Sequence, residues 1–294
     1  MTRKNLIKPL KGIRIVSLAL NLPGPAALMR CRALGATCIK IEPLAAGGGD
    51  PLKAYNHEAY AQMHAGVRTL ALDLKSEKGQ ARLDLELEKA DVLLTSFRPS
   101  ALKRLGLDWS SLHKRHSKIW QVTIVGGDGD AAEVAGHDLT YFAEQGLLTG
   151  LDLPATLFVD MTGSLLAVEA ILGAALQAKM ARKSRQITVS LGDASQYLAL
   201  PRHWGLTTPS GAVGGAHAGY QIYPCKDGRA AVAALEPHFA KNLCALAGIA
   251  VHGFAAMMQP QTKTDLNRWF AKQTCAALDL WAEQHDLPIY TLKP

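Results

Sequence analysis

The chain has 294 residues, of which 48% are hydrophobic and 19% are charged. This balance is typical of a folded globular protein and excludes a disordered chain. The length exceeds what a single hydrophobic core normally serves, so we expect two domains, or one domain with a substantial lobe.

The formal net charge is +7, and the lysines and arginines are scattered along the chain. A basic surface of this kind favours an anionic small-molecule ligand. A nucleic-acid partner would have only the charge in its support, because the sequence has no helix-turn-helix, zinc-finger or RNP pattern. We therefore expect no nucleic-acid partner.

The five cysteines, Cys31, Cys38, Cys225, Cys244 and Cys275, form no CxxC pair. Their spacing supports neither a zinc site nor a redox pair, and predicts free thiols in a reducing, cytoplasmic compartment. The amino-terminal stretch has the pattern of a first buried strand rather than of a signal peptide. Glu169 interrupts the longest apolar helix, so we expect no membrane span.

Strands and helices alternate through most of the chain. The predicted strands lie at residues 13–20, 37–41, 68–74, 91–95, 119–125 and 186–191, and the predicted helices at 26–34, 76–89, 100–106, 112–116 and 162–181. This order predicts an α/β fold with a largely parallel sheet and right-handed crossovers. The phosphate-binding pattern GxGxxG is absent, so no dinucleotide site is predicted.

Two segments are predicted to be irregular. Residues 42–62 are predicted to be mostly loop, in which Gly47, Gly48 and Gly49 would let the backbone approach a ligand. Residues 201–219 are predicted to be a linker between a large domain, 1–200, and a small α+β domain, 220–294. The small domain should contain a hairpin with an Asp227-Gly228 turn, a helix at 239–247, one or two helices within 266–282 and a strand at 287–292.

Candidate site residues stand before two turns and at one strand exit. Asp160 precedes a long apolar helix, where an aspartate is preferred as the N-cap and the helix dipole favours its charged form. We hypothesise that it faces His137 across a substrate carbon; an ordinary cap and an ordinary loop histidine are the alternatives. Arg98 follows a strand, where it could hold a phosphate or carboxylate or form a surface ion pair.

An ordered set of motifs resembles the family III CoA-transferases (CaiB/BaiF superfamily), and within them the 2-methylacyl-CoA racemases. The set comprises LKGIRIVSLALNLPGPAALMRCRALGATCIKIEP, GGDP, RTLALDLKSEKG, SFRPSALKRLGLDWSSL, AGHDLTYFAEQGLL, VDMTGSLLAVEAILGAAL and AALEPHF. The resemblance implies a Rossmann-like parallel sheet in the large domain and a smaller α+β domain.

Three details of the resemblance favour a racemase: Pro23 before Gly24-Pro25, His137 after Gly136, and Glu236. They imply that His137, oriented by Glu236, is one acid/base and that Asp160 is the other. By the same resemblance, Asp138 and Tyr141 line the thioester, and they bind the coenzyme A substrate together with Lys53, Arg68, Arg98 and Gly136.

Racemisation at the carbon beside a thioester needs one base on each face and a stabilised enolate. Such a reaction would need no metal and no prosthetic group, since coenzyme A enters as part of the substrate. The resemblance also implies a homodimer whose two chains interlock. The closing segment by which the family returns to the large domain is expected to be absent after Pro294.

Two alternatives remain open. In a CoA-transferase, Asp160 would attack the thioester and form a mixed anhydride, without need of His137 or Glu236. In a degenerate member, the chain would bind acyl-CoA weakly or act as a scaffold. The second alternative is motivated by His64-Ala65-Gly66-Val67-Arg68, where the family has Asn-Arg-Gly-Lys-Arg, and by the acids of Gly126-Gly127-Asp128-Gly129-Asp130.

Overall fold

A computed structural model describes residues 7–44, 49–250 and 253–294. Gly47 and Gly48, for which we expected an approach to a ligand, lie outside the described residues. The chain divides into two compact units, Met1–Ala199 and Leu200–Pro294, and each is described by itself. The linker predicted at residues 201–219 falls within the second unit.

The first unit is built on a six-stranded sheet with the strand order β3-β2-β1-β4-β5-β6. The strands are β1 (Arg14–Ser17), β2 (Thr37–Glu42), β3 (Arg68–Ala71), β4 (Val92–Thr95), β5 (Trp120–Val125) and β6 (Gln186–Ser190). Every neighbouring pair is parallel, and Val16 on β1 lies between Ile39 on β2 and Leu93 on β4. The predicted α/β fold is confirmed. The chain adds β2 and β3 on one side of β1 and then adds β4, β5 and β6 on its other side, so the strand order reverses between β1 and β4.

Helices cover both faces of this sheet. They are α1 (Pro23–Ala33), α2 (Pro51–Tyr55), α3 (His57–Met63), α4 (Glu77–Leu87), α5 (Pro99–Arg104), α6 (Trp109–Arg115), α7 (Asp138–Glu144), α8 (Phe158–Lys179) and α9 (Leu191–His203). On one face Leu28 and Ile171 share a core with Val122, and on the other Leu83 packs with Leu93. All six residues of β5 are buried, as expected when both faces of a parallel sheet are covered.

Residues 42–62 differ from the predicted loop because they contain α2 and α3. Each of these short helices is fixed by a side-chain cap rather than by an apolar pattern. The Asp50 carboxylate accepts the amide of Leu52 at 3.0 Å, and the Asn56 side chain accepts that of Ala59 at 2.9 Å. Helices of one or two turns carry no readable periodicity, so sequence patterning missed them.

Prolines misled the prediction at two other helices. The helix predicted at 26–34 begins earlier than expected, because Pro23-Gly24-Pro25 forms the first turn of α1, where proline is tolerated since the first amides have no helical acceptor. Helix α9 was missed altogether, and Pro201 lies within it near its end. A proline in the sequence is therefore compatible both with a loop and with the first or last turn of a helix, and does not by itself tell the two apart.

The second unit is a three-stranded antiparallel sheet with helices. Strands β7 (Tyr220–Cys225), β8 (Gly228–Ala233) and β9 (Ile289–Leu292) lie in the order β7-β8-β9. The helices are α10 (Pro237–Ala247), α11 (Gly253–Met257), α12 (Pro260–Phe270) and α13 (Cys275–Gln284). Tyr223 stacks on Phe270 in the core, with ring centroids 4.6 Å apart.

Helix α8 is the one described helix long and apolar enough to cross a membrane by length and composition, with a mean hydropathy of 1.5. Glu169 was expected to interrupt this stretch, but the helix runs through it with Glu169 on an exposed face. The opposite face is part of the sheet core, where Ala167 and Ile171 have no exposed surface. A core helix meets the same criterion, and the absence of a membrane span stays a prediction.

Replacement of Gly24 by alanine should destabilise the first unit, because the new Cβ would collide with the Cβ of Ala19 after β1. Overpacking of this kind costs about 1–3 kcal/mol. Gly173→Ala in α8 is the matched control, since nothing lies within 4 Å of its Cβ and alanine favours the helix by about 0.5–1 kcal/mol. Denaturant unfolding measures both, and equal stability of the two variants would contradict the packing described.

Candidate functional site

A cavity of about 280 Å³ opens at the carboxyl ends of the central strands. Its lining comes from the segments after β1 and β4, from the end of β5 and the segment that follows it, and from the starts of α1, α7, α8 and α9: Leu20, Asn21, Pro23, Ser96, Phe97, Arg98, Ile124, Val125, Gly126, Ala132, Val134, Ala135, Gly136, His137, Tyr141, Asp160 and Leu191. The strand order reverses between β1 and β4, and open parallel sheets bind ligands at such a point. The fold thus creates this crevice before any side chain is considered.

Asp160 lines the cavity from the first turn of α8 and is 9% exposed. The expectation that it caps this helix is wrong. The helix begins at Phe158, its N-cap position is held by Leu157, and the capping carboxylate comes from Asp138. One Asp138 oxygen accepts the amides of Val159 at 2.7 Å and of Asp160 at 2.9 Å. Because Asp138 supplies the cap, the Asp160 carboxylate is left for the cavity.

The surroundings of Asp160 raise its pKa from an ordinary 3.8 to about 6. Burial is the largest cause, and the charge of Asp138 adds to it, while His137 acts in the opposite direction. A carboxylate with this pKa is mostly ionised at neutral pH yet holds a proton far more readily than an exposed one. Such tuning is characteristic of acid/base and nucleophilic carboxylates in clefts.

His137 lines the same cavity from the N-cap position of α7. Thr140 fixes its backbone, because the Thr140 hydroxyl accepts the His137 amide at 3.0 Å and donates to the His137 carbonyl at 2.8 Å. His137 itself is exposed. Its expected partner, Glu236, lies in the second unit at the N-cap position of α10, where its side chain makes no capping hydrogen bond. The pairing of His137 with Glu236 stays a prediction.

Tyr141 packs its hydroxyl against two glycines of the cavity wall. A Cβ on Gly126 or on Gly136 would collide with the Tyr141 ring or hydroxyl, so both positions must remain small. Burial raises the pKa of Tyr141, which keeps the hydroxyl protonated. It is therefore a neutral hydrogen-bond donor at the edge of the cavity, and its contact with a thioester stays a prediction.

The three basic residues expected to hold a ligand lie in different surroundings. Arg98, at the N-cap position of α5, is exposed and lines the cavity. Lys53, on α2, places its Nζ 5.5 Å from the centroid of the Tyr60 ring. Arg68 begins β3 at the end opposite the cavity, and its guanidinium contacts Glu86 at 2.5 Å. The structure therefore brings Arg98 to the cavity and separates Arg68 from it.

A buried charge cluster that sequence reasoning missed supports one wall of the cavity. Lys40 on β2 has no exposed surface, and its Nζ contacts Asp50, the Glu42 carboxylate at 3.1 Å and the Nε2 of His64 at 2.9 Å. Burial and the neighbouring Lys40 lower the pKa of His64, so this imidazole is neutral and accepts from the ammonium. Glu42, Asp50 and His64 are close enough to share a metal ion, but the Lys40 ammonium already supplies the cation among them.

Asp50 connects this cluster to the ligand edge. Its Oδ1 accepts the Asn21 amide at 3.1 Å, while its other oxygen pairs with Lys40. Asn21 lines the cavity and holds a φ of 63°, in the left-handed region that asparagine tolerates better than most residues. The sequence signal for this cluster is Lys40, a charged residue between two isoleucines in the strand TCIKIE.

Asp160→Asn should stabilise the protein in a pH-dependent way. Because the folded-state pKa is raised, the carboxyl favours folding fully only below its unfolded pKa, and this contribution is lost as the pH rises through about 6. At pH 8 the variant should exceed the wild type by about 1–3 kcal/mol in unfolding free energy, and below about pH 4 the two should converge. Denaturant unfolding across this range measures the difference. The exposed Asp152→Asn should show no such trend, and a pH-independent Asp160→Asn effect would refute the raised pKa.

Asp50→Asn should destabilise the first unit strongly, because it leaves the Lys40 ammonium buried with less compensating charge and weakens the hold on Asn21. Breaking a buried pair costs about 3–5 kcal/mol. Asp84→Asn, which alters the half-exposed contact with His116, serves as control and should cost about 1 kcal/mol or less. Comparable losses of unfolding free energy in the two variants would show that the buried cluster contributes no more to stability than a half-exposed ion pair does.

The sequence matches CoA-transferase family III over residues 10–293. The cinnamoyl-CoA:phenyllactate CoA-transferase of Clostridium sporogenes is 31% identical over 63% of this chain and 50% of its own length. The alpha-methylacyl-CoA racemase of Mus musculus is 28% identical over 91% of this chain and 73% of its own. The chain thus spans about half the length of the matched transferase.

Solved structures agree with the fold. A CAIB/BAIF family protein from Brucella suis superimposes with a TM-score of 0.77 at 25% identity, covering 98% of this chain and 84% of that one. The protein Rv3272 from Mycobacterium tuberculosis superimposes with a TM-score of 0.82 at 22% identity, covering 97% and 84%. The match over residues 10–293 confirms the predicted resemblance: the chain belongs to CoA-transferase family III.

Proposed function

We propose that the chain is a racemase of 2-methylacyl-CoA thioesters that moves one proton off and onto the same carbon through an enolate. The observation that carries the proposal is that His137 and Asp160, two proton-handling side chains of unlike kinds from separate elements, line one cavity. The family supplies the substrate class, because its named members act on acyl-CoA and include both racemases and transferases.

The proposed chemistry uses Asp160 first as a base. With a pKa of about 6 it is ionised at neutral pH and takes the proton from C2 of the acyl group. The electron pair of the C–H bond moves toward the thioester oxygen and forms the enolate. Protonated His137 then delivers a proton to the opposite face of C2, which inverts the centre. In the reverse direction the two residues exchange roles.

The enolate oxygen needs a donor, and the Tyr141 hydroxyl is suited to this role. It lies against Gly126 and Gly136 at the cavity wall and stays protonated because burial raises its pKa. Preorganised donors of this kind stabilise developing charge far better than bulk water does. Asp138 contributes indirectly by anchoring α8, whose first turn carries Asp160.

A second cavity supports binding of the rest of coenzyme A, which enters as part of the substrate. It has a volume of about 520 Å³, shares Phe97 with the first cavity, and is otherwise lined by Leu18, Ile41, Glu42, Pro43, Leu44, Leu72, Asp73, Leu74, Lys75 and Leu105. Its walls are largely apolar, which suits the flat ring of an adenine. Lys75 in its lining and Arg98 in the first cavity are each placed to form an ion pair with a phosphate group of coenzyme A.

A CoA-transferase is the second candidate. Asp160 is buried, is not used as a cap and is ionised at neutral pH, which also suits a carboxylate that attacks the thioester to form a mixed anhydride. The matched relatives named as transferases favour this role. The engagement of Arg68 with Glu86, away from the cavity, favours the third alternative of a weak acyl-CoA binder or scaffold.

The association state and location are also proposals. A homodimer is supported by the apolar side chains that α8 leaves exposed at helical spacing, among them Met161, Leu165 and Leu176. The five free thiols fit a cytoplasmic, reducing compartment.

The test is incubation with one epimer of a 2-methylacyl-CoA in deuterated water. Racemisation predicts loss of optical purity together with one deuterium at C2, with kcat/KM falling as the pH drops below about 6. His137→Gln should abolish turnover in both directions and leave deuterium exchange only into the epimer whose C2 proton faces Asp160. Asp160→Asn should show the opposite preference, and His113→Gln, on the distant α6, should behave as the wild type.

The alternatives predict different products. Movement of CoA to a free carboxylic acid, with no deuterium at C2, would establish the transferase and refute the racemase. Neither reaction, with no heat of binding at millimolar CoA, would favour the scaffold.

A further inference from the structure

Two thiols and a carboxylate meet in the second unit, and none of the three belongs to the site proposed above. Cys225 ends β7, Asp227 lies in the hairpin turn that follows it, and Cys275 is the first residue of α13. The two sulfur atoms are 3.5 Å apart. One potential ligand atom from each of the three residues lies within 4.8 Å of the other two.

Backbone contacts fix this arrangement. The Lys226 amide donates to the Gln273 carbonyl at 2.8 Å, and the Cys275 amide donates to Asp227 Oδ1 at 2.7 Å. Gly228 allows the close approach, since a Cβ there would meet the Leu292 carbonyl and lie 3.0 Å from the Cys275 sulfur. The hairpin turn and the start of α13 are thus held together independently of the thiols, and the three side chains are preorganised.

The separation of the sulfurs distinguishes two uses of such a pair. A disulfide requires the sulfurs to be about 2.05 Å apart. Two thiolates bound to one tetrahedral ion at about 2.3 Å lie about 3.8 Å from each other. The observed 3.5 Å is close to the second value, and a third donor, the Asp227 carboxylate, stands beside the pair.

We propose that Cys225, Asp227 and Cys275 form a binding site for a thiophilic divalent cation of the zinc class. The ion would take two thiolates and one carboxylate oxygen, with the fourth tetrahedral position left for water. Cys225 is partly exposed and Asp227 is exposed, so the ion reaches the site from solvent, whereas Cys275 is buried. The hydrogen bond from the Cys275 amide orients Asp227, as an outer-shell partner does in known metal sites.

Binding replaces two S–H bonds by two metal–sulfur bonds and releases two protons to solvent. Both cysteines must lose a proton to become the thiolates that bind the ion. Apparent affinity should therefore rise with pH.

The bound ion would join two elements that are distant in sequence, the β7–β8 hairpin and the start of α13. It should therefore stabilise the second unit against unfolding. Sequence patterning does not reveal this site, because the two cysteines are separated by 50 residues and form no short motif. The proposal does not depend on the racemase or transferase activity.

The experiment uses the full chain, reduced and freed of metal, titrated with Zn²⁺ and separately with Cd²⁺. One equivalent should bind, Cd²⁺ should produce a thiolate charge-transfer absorption in the ultraviolet, and Zn²⁺ should raise the unfolding temperature. Cys225→Ser and Cys275→Ser should each lose the absorption and the thermal shift, and Asp227→Asn should weaken them. Cys244→Ser, a buried thiol outside the cluster, should retain both.

Absence of saturable binding, or a cadmium absorption that survives in Cys225→Ser, would overturn the proposal. So would a Cys225–Cys275 disulfide in protein purified without oxidant, detected as a loss of two hydrogen atoms in intact mass. If Cys275→Ser does not fold, the partly exposed Cys225→Ser and the exposed Asp227→Asn still decide the question.

Discussion

The Asp138 carboxylate is the contact on which the geometry of the cavity depends. It lies at the start of α7 but caps α8 by accepting the amides of Val159 and Asp160. This single side chain joins the segment that carries His137 to the helix that carries Asp160. It also places a second negative charge near Asp160 and so helps to raise its pKa to about 6. Asp138 therefore contributes both to the position of the Asp160 carboxylate and to its raised pKa.

A second constraint acts at the end of β1. The Lys40 ammonium is buried among Asp50, Glu42 and His64, and Asp50 in turn holds the amide of Asn21. Desolvating so many charges is unfavourable unless they satisfy each other. Here the cluster fixes a left-handed residue in the lining of the cavity, so a structural ion pair within the sheet determines the shape of the ligand edge.

The sequence predicted the sheet well because its strands are short, apolar and regularly spaced between helices. The motif order also identified His137 and Asp160, which share the cavity. Prediction from the sequence failed where local structure depends on contacts between residues that are distant in sequence. Asp160 has the spacing of an N-cap, yet Asp138 takes that role from another element. Arg68 fits a basic motif, but its position at the amino end of β3 places it beside Glu86.

The proposed metal site could not be predicted from the sequence, because Cys225 and Cys275 are distant in sequence. The two residues meet only after the hairpin and α13 have packed together. Residues 42–62 show the complementary case. Their two short helices depend on the Asp50 and Asn56 caps, which are local but too brief to produce a periodic pattern. Patterns reveal long elements, whereas single hydrogen bonds determine short ones.

The proposed racemase reaction requires two unlike proton-handling groups, His137 and Asp160, on opposite faces of one acidic carbon. The most direct measurement is a crystal structure of the protein with a bound 2-methylacyl-CoA. The account predicts C2 of the acyl group between the His137 imidazole and the Asp160 carboxylate, each about 3–4 Å away on opposite faces. A thioester carbonyl carbon in line with Asp160, with His137 turned away from C2, would contradict it.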